Sequence, residues 1–173
     1  MNAVLYIHGK DGSASESEHY KPLFPSCDVI GLDYKTFTPW ETGIEIHKAV
    51  EELKNKYENV ILIANSIGAY FSMNAGIDQM IQKAYFISPI VDMEKLNGVK
   101  LVGEWLHYVK NHPIDWSVPT HILYGSKDSL ISFDTLDNFT KEHNATLTVM
   151  EGGEHWFHTE EQMRFLDEWI RKV

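Results

Sequence analysis

Apolar residues along this chain gather into short unbroken runs. Val4 to Ile7, Asp28 to Leu32, Val60 to Ile63, Ala84 to Ile87, Thr120 to Tyr124 and Thr146 to Met150 are each four or five residues long and rich in β-branched side chains. Runs that are continuous rather than alternating predict strands covered on both faces, as in a parallel sheet. Helical spacing fills the intervals. Thr38-Pro39-Trp40-Glu41 reads as a helix start, with Thr38 as N-cap, Pro39 at the first position and Glu41 reaching back. That helix is expected to run to about Tyr57 with Ile46, Val50, Leu53 and Tyr57 on one face. Ser15 and Glu18 pair as a capping box for a short helix ending near Lys21-Pro22. Further helices are expected over Ile67 to Ala75, stopped by Gly76, over about Phe133 to His143, and after a capping pair Thr159/Gln162, where Met163, Leu166 and Ile170 form the buried stripe. Six strands alternating with helices predict an α/β fold: a doubly wound, mainly parallel six-stranded sheet with helices on both faces and right-handed crossovers. Residues 92–117 are irregular, with Leu101, Trp105, Tyr108 and Val109 on one helical face. With no internal repeat or linker, residues 1–173 are expected to form a single domain with a short insertion at about 92–117.

Composition narrows the function classes. There are 25 acidic against 15 basic residues, a net charge of −10, which argues against nucleic acid or an anionic membrane as partner and makes a strongly anionic substrate a poor candidate. Cys27 is the single cysteine, so an intramolecular disulfide and a thiolate metal cluster are both excluded. The other histidines, His19, His47, His107, His112, His121 and His143, are scattered without metal-ligand spacing, and no metal or cofactor is expected. There is no 18-residue apolar stretch and no basic leader before Val4, so the expectation is a cytoplasmic protein that does not span a membrane.

The chemistry concentrates at the ends of the strand runs. The third run stops at Ala64-Asn65-Ser66-Ile67-Gly68. Small residues two places either side of Ser66 permit a sharp strand-to-helix turn, which would force Ser66 into a strained conformation and raise its hydroxyl at a helix N-terminus. His8-Gly9 ends the first run, Asp128 follows the fifth and His155 the sixth, behind Gly152 and Gly153. In open α/β sheets ligands bind beyond the carboxyl ends of the strands, so these groups are expected to meet. A serine hydroxyl is a poor nucleophile without a base to take its proton, and imidazole is suited to that task. Each residue also has an ordinary use: Ser66 as a helix cap, Asp128 in a Gly-x-x-Asp turn, His155 packed beside Trp156. Asp92, after the fourth run, is a rival acid whose ordinary use is an N-cap; His158 is a rival base that adjoins the Thr159 cap. Gly9-Lys10-Asp11-Gly12 fits neither a dinucleotide-binding nor a Walker loop.

Taken together, Ala64-x-Ser66-x-Gly68 resembles the nucleophile elbow Gly-x-Ser-x-Gly of the α/β-hydrolase superfamily, with Ala64 in place of the first glycine. The order Ser66, Asp128, His155, at separations of 62 and 27 residues, resembles that superfamily's triad order. In size the chain is similar to the small serine hydrolases of the retinoblastoma-binding-protein type, and it lacks the two antiparallel N-terminal strands of larger members. The resemblance implies a minimal α/β-hydrolase fold with a short cap at 92–117. It also implies a serine esterase-like hydrolase acting on a small ester, thioester or amide. Ser66 would be the nucleophile, His155 the base, and Asp128 the acid that orients it. Ile67 N–H and, in the loop after His8-Gly9, Lys10 N–H would form the oxyanion hole, with Gly12 letting that loop pass near the substrate. His8 is expected to be structural, and Trp105 and Tyr108 are candidates for one wall of an acyl pocket. The competing expectation is a non-catalytic protein of the same fold that binds a ligand or partner in the same crevice.

Overall fold

The computed structural model describes residues 1–173. Its strands are β1 (Asn2–Ile7), β2 (Cys27–Leu32), β3 (Asn59–Asn65), β4 (Lys83–Ile87), β5 (Thr120–Gly125) and β6 (Ala145–Met150). They form one sheet of order β2-β1-β3-β4-β5-β6, and every neighbouring pair is parallel. The helices are α1 (Pro39–Lys54), α2 (Ile67–Met73), α3 (Gly103–Asn111), α4 (Phe133–Glu142) and α5 (Glu160–Lys172), with 3₁₀ segments at Ala14–Leu23 and Met93–Lys95. No helix is long and apolar enough to cross a membrane.

Alternate residues of each strand feed two separate cores. Leu5, Ile7, Val60, Leu62 and Ala64 pack with α1, α2 and α4 through Ile46, Val50, Tyr70, Phe71, Leu136 and Phe139. Val4, Tyr6, Ile61 and Ile63 pack on the other face with Tyr20 of the first 3₁₀ segment and Leu166, Trp169 and Ile170 of α5. Handedness explains which element goes where. The chain moves from β1 outward to β2 with its crossover on one face. It then reverses direction toward β3 and beyond, so right-handed connections must place α1, α2 and α4 on the other face. That reversal lies between β1 and β3, the place where an open sheet leaves a crevice at its carboxyl edge.

Local differences from the sequence expectations have identifiable causes. The Ser15/Glu18 capping box does not form. The segment starts at Ala14 as a 3₁₀ helix with Ser13 at its boundary, the Ser15 hydroxyl pairs with that of Ser13 (2.6 Å), and Glu18 pairs with Lys21 (2.6 Å). Pro22, inside it, has no N–H to give a regular α-helix. Thr38 caps α1 as expected, accepting from Glu41 N–H at 3.2 Å. The Glu41 carboxylate, however, meets the Thr38 hydroxyl, while Thr38 N–H donates to Thr42 Oγ1. α1 stops at Lys54, and Tyr57 lies beyond the helical stripe with its hydroxyl on Asp28 (2.7 Å). α2 ends at Met73, two residues early, where the Asn74 amide turns back to Tyr70 O (2.8 Å).

Candidate active site

The end of β3 turns into α2 at Ser66, whose φ of 54° and ψ of −120° lie where a side chain is normally unfavourable. Gly68 makes the turn possible. A Cβ there would stand 2.6 Å from His8 O and 2.8 Å from Ile7 O, because α2 starts directly against the end of β1. On the other side, a Cβ at Gly9 would lie 3.2 Å from the Ser66 Cβ. The β1 loop therefore runs close against the serine turn, with no room for a side chain at Gly68 and little at Gly9.

Ser66 Oγ is 2.9 Å from His155 Nε2, and His155 Nδ1 is 2.7 Å from Asp128 Oδ2. A carboxylate can only accept, so Nδ1 carries the ring proton and Nε2 turns its lone pair to the Ser66 hydroxyl. The Asp128 side chain is wholly shielded from solvent and the His155 side chain is 25% exposed. A buried carboxylate needs partners. Asp128 Oδ1 accepts from Leu130 N–H and Ile131 N–H, both at 2.9 Å, in the turn that leads to α4. Burial, and after it the Asp128 charge, push the nearby Tyr124 phenol above its ordinary value.

The loops that carry Asp128 and His155 are joined to each other. Lys127 N–H donates to Gly153 O (2.8 Å), and Gly152 N–H donates to the Ser126 hydroxyl (2.7 Å). The two backbones touch at Gly125 and Gly153: a Cβ at Gly125 would stand 2.3 Å from Gly153 C and O. Ser88, at the end of β4, adds a bond from its hydroxyl to His155 O (2.7 Å).

Two backbone N–H groups, one in the residue after Ser66 and one in the residue after Gly9, have no acceptor in the chain. Ile67 N–H is the first of α2, a position with no intrahelical partner. Lys10 N–H lies in the exposed turn closed by Gly12 N–H on Gly9 O (3.2 Å). His8 shapes that turn. Its Nδ1–H donates to Gly9 O (2.7 Å), its ring stacks on Tyr34 at 4.1 Å, and the Tyr34 hydroxyl donates to His8 O (2.9 Å). A Cβ at Gly12 would meet the Glu16 carboxylate at 3.0 Å and His8 Cβ at 3.1 Å, and it is Gly9 that adjoins Ser66.

The remaining candidates have other partners. Asp92 caps the 3₁₀ segment Met93–Lys95, accepting from Glu94 N–H at 2.9 Å. His158 stacks on the exposed Trp156 at 3.9 Å, and its N–H meets Gln162 Oε1 at the start of α5. Trp105 and Tyr108 of α3 make no hydrogen bond or ring contact with the serine or His155. Trp105 packs on Trp40 (6.0 Å) and Phe71 (6.2 Å), and Tyr108 packs on Trp40 (5.4 Å) and donates to Asn74 Oδ1 (3.2 Å). Residue type and spacing did not single out Ser88, Ser126 or Tyr34. Each acts on backbone carbonyls or amides of another loop, a role that any hydroxyl at a strand end can fill.

Comparison with known structures identifies the architecture. Mouse α/β-hydrolase domain-containing protein 10 matches with a TM-score of 0.76 at 13% identity, over 98% of this chain and 88% of that one. The chain has the α/β-hydrolase fold. Other proteins of matching architecture include Est1E from Butyrivibrio proteoclasticus, with a TM-score of 0.77 and 16% identity over 99% of this chain and 85% of that one. Thermogutta terrifontis esterase 2, solved phosphonylated by cyclosarin, has a TM-score of 0.75 and 14% identity over 99% and 82% of the respective chains. In sequence, a Mycoplasma genitalium protein provisionally named esterase/lipase 3 is 33% identical over 79 residues, a stretch that covers 44% of this chain and 28% of that protein's length. No family model matches the chain.

Proposed function

We propose that this protein is a serine hydrolase that cleaves a small carboxylic ester, thioester or amide through an acyl-enzyme. The observation that carries the proposal is the continuous hydrogen-bonded chain from Ser66 through His155 to Asp128, at 2.9 and 2.7 Å, drawn from the ends of β3, β6 and β5. In acylation Ser66 Oγ bonds to the substrate carbonyl carbon as its proton passes to His155 Nε2. Asp128 holds the ring in the required tautomer and stabilises the imidazolium. The carbonyl oxygen, now an anion, lies against Ile67 N–H and Lys10 N–H, assisted by the positive end of α2. Collapse expels the leaving group, which takes the proton from His155. Water, deprotonated by the same nitrogen, then releases the acid and restores Ser66. Esterases among the proteins of matching fold support the reaction class.

Hydrolysis of p-nitrophenyl acetate by the wild type and by Ser66→Ala tests this directly. Loss of the nucleophile is expected to lower kcat by about 10⁶, with circular dichroism unchanged. Retained activity in Ser66→Ala, or no hydrolysis of any ester by the wild type, contradicts the proposal and favours a non-catalytic binding role.

A further inference from the structure

The His155 backbone makes a single hydrogen bond within the chain, and it is made by a side chain: the Ser88 hydroxyl, which donates to His155 O at 2.7 Å. Ser88 follows β4, is fully buried, and has a φ of 47°, a conformation rare for a residue with a side chain. Its N–H extends the sheet ladder to Leu123 O at 2.9 Å. The residues on either side hold the serine. Ser66 N–H donates to Ile87 O and Ile90 N–H donates to Ser66 O, both at 3.0 Å. Residues 87–90 thus grip the Ser66 backbone from both sides and the His155 carbonyl from the middle.

From this closed ring of contacts we infer that Ser88 is a positioning residue for His155, setting the 2.9 Å approach of Nε2 to Ser66 Oγ. The role rests on the serine-hydrolase function proposed above. Neighbouring tethers do not supply it. Lys127 N–H and Gly153 N–H fix the loop at Gly153, and the Gln162 amide fixes it at the Glu154 carboxylate (2.9 Å). None of them acts on His155 itself. A strained backbone is retained where the surroundings over-determine it, and at Ser88 the strain directs a buried hydroxyl to the one carbonyl that anchors the base.

Ser88→Gly and Ser88→Ala test the role, with Ser66→Ala in parallel. Glycine removes the hydroxyl and at the same time relieves the positive φ, so this variant is expected to fold. For both variants kcat on p-nitrophenyl acetate, per molecule folded by circular dichroism, should fall about 10- to 100-fold, the scale of a modest misplacement of a catalytic group. KM should stay within about twofold, and the rate of fluorophosphonate labelling should fall in proportion to kcat. Wild-type kcat per folded molecule in both Ser88 variants, with Ser66→Ala inactive, overturns the positioning role and leaves the hydrolase assignment standing. Loss of fold in both Ser88 variants also overturns it, making Ser88 a packing residue only. Wild-type activity in Ser66→Ala removes the hydrolase assignment and this role with it.

Discussion

The Asp128 carboxyl lies where solvent does not reach, with two backbone N–H groups on one oxygen and the His155 ring on the other. An amide in its place keeps the shape but offers His155 Nδ1 a donor as readily as an acceptor, so the ring can settle in the wrong tautomer. Asp128→Asn is therefore expected to lower kcat by about 10⁴. Asp92→Asn should leave activity near wild type, because Asp92 caps a 3₁₀ segment and asparagine caps equally well. Steady-state kinetics on the two variants checks both outcomes, and the reverse ranking would transfer the acid role to β4. At this scale the sequence was informative where the chemistry proposed above requires a particular residue type. Ser66, Asp128 and His155 stand at strand ends as their chemistry suggested. It was silent at Ser88 and Ser126, because a serine after a strand looks the same whether its hydroxyl faces water or a distant carbonyl. At Ser15 and Glu18 it misled, since both side chains found nearer partners than the helix N-terminus.

Among the elements, the two loops after β5 and β6 behave as one piece. Gly125 and Gly153 meet backbone to backbone, and two hydrogen bonds join the loops beside that contact. Gly125→Ala would put a methyl group 2.3 Å from the Gly153 backbone and push the His155 loop away from Asp128. A loss of about 10²-fold in kcat is expected, together with a lower melting temperature; wild-type kcat would show that the loops adjust independently. A second junction lies before α1. Burial pushes the Glu45 carboxyl up, but bonds from the Thr36 hydroxyl and from Lys35 N–H and Thr36 N–H, with the Lys35 charge, outweigh it and hold the group below its ordinary value. A carboxyl lowered by folding adds stability that is fully present above its unfolded value and is lost as pH falls through its folded one. Glu45→Gln should therefore destabilise the protein at pH 7, by a few tenths up to about 1 kcal/mol once solvent screening is counted, and the gap to wild type should close as the pH is lowered from the ordinary carboxyl value of 4.5. Urea midpoints at pH 7 and pH 3 measure this, and an equal gap at both would contradict it. Strand positions were legible because parallel strands must be apolar on both faces. Helix ends were less so: α1 and α2 close on the Tyr57 hydroxyl and the Asn74 amide, contacts that depend on which distant residue lies within reach.

For the whole molecule, the parallel sheet brings the loops after its strands to one edge, and the 92–117 segment adds one nine-residue helix, α3, beside α1 and α2. So little cover leaves little apolar surface to bury a long acyl chain, and each buried methylene is worth only ~0.8 kcal/mol. Short-chain p-nitrophenyl esters are expected to give the highest kcat/KM in a chain-length series; an optimum at long chains would contradict this. Nothing in the periodicity announced the placement of Trp105 and Tyr108, because one apolar helical face reads alike whether it lines a pocket or seats the helix on its neighbours. The central claim is that Ser66 is a nucleophile activated by His155, and the most direct measurement is covalent capture. Incubation with a fluorophosphonate followed by peptide mass spectrometry should yield one adduct, on Ser66, in the wild type and in His158→Ala, and a labelling rate reduced by orders of magnitude in His155→Ala. An unlabelled wild type, an adduct on another residue, or labelling indifferent to His155 would contradict it.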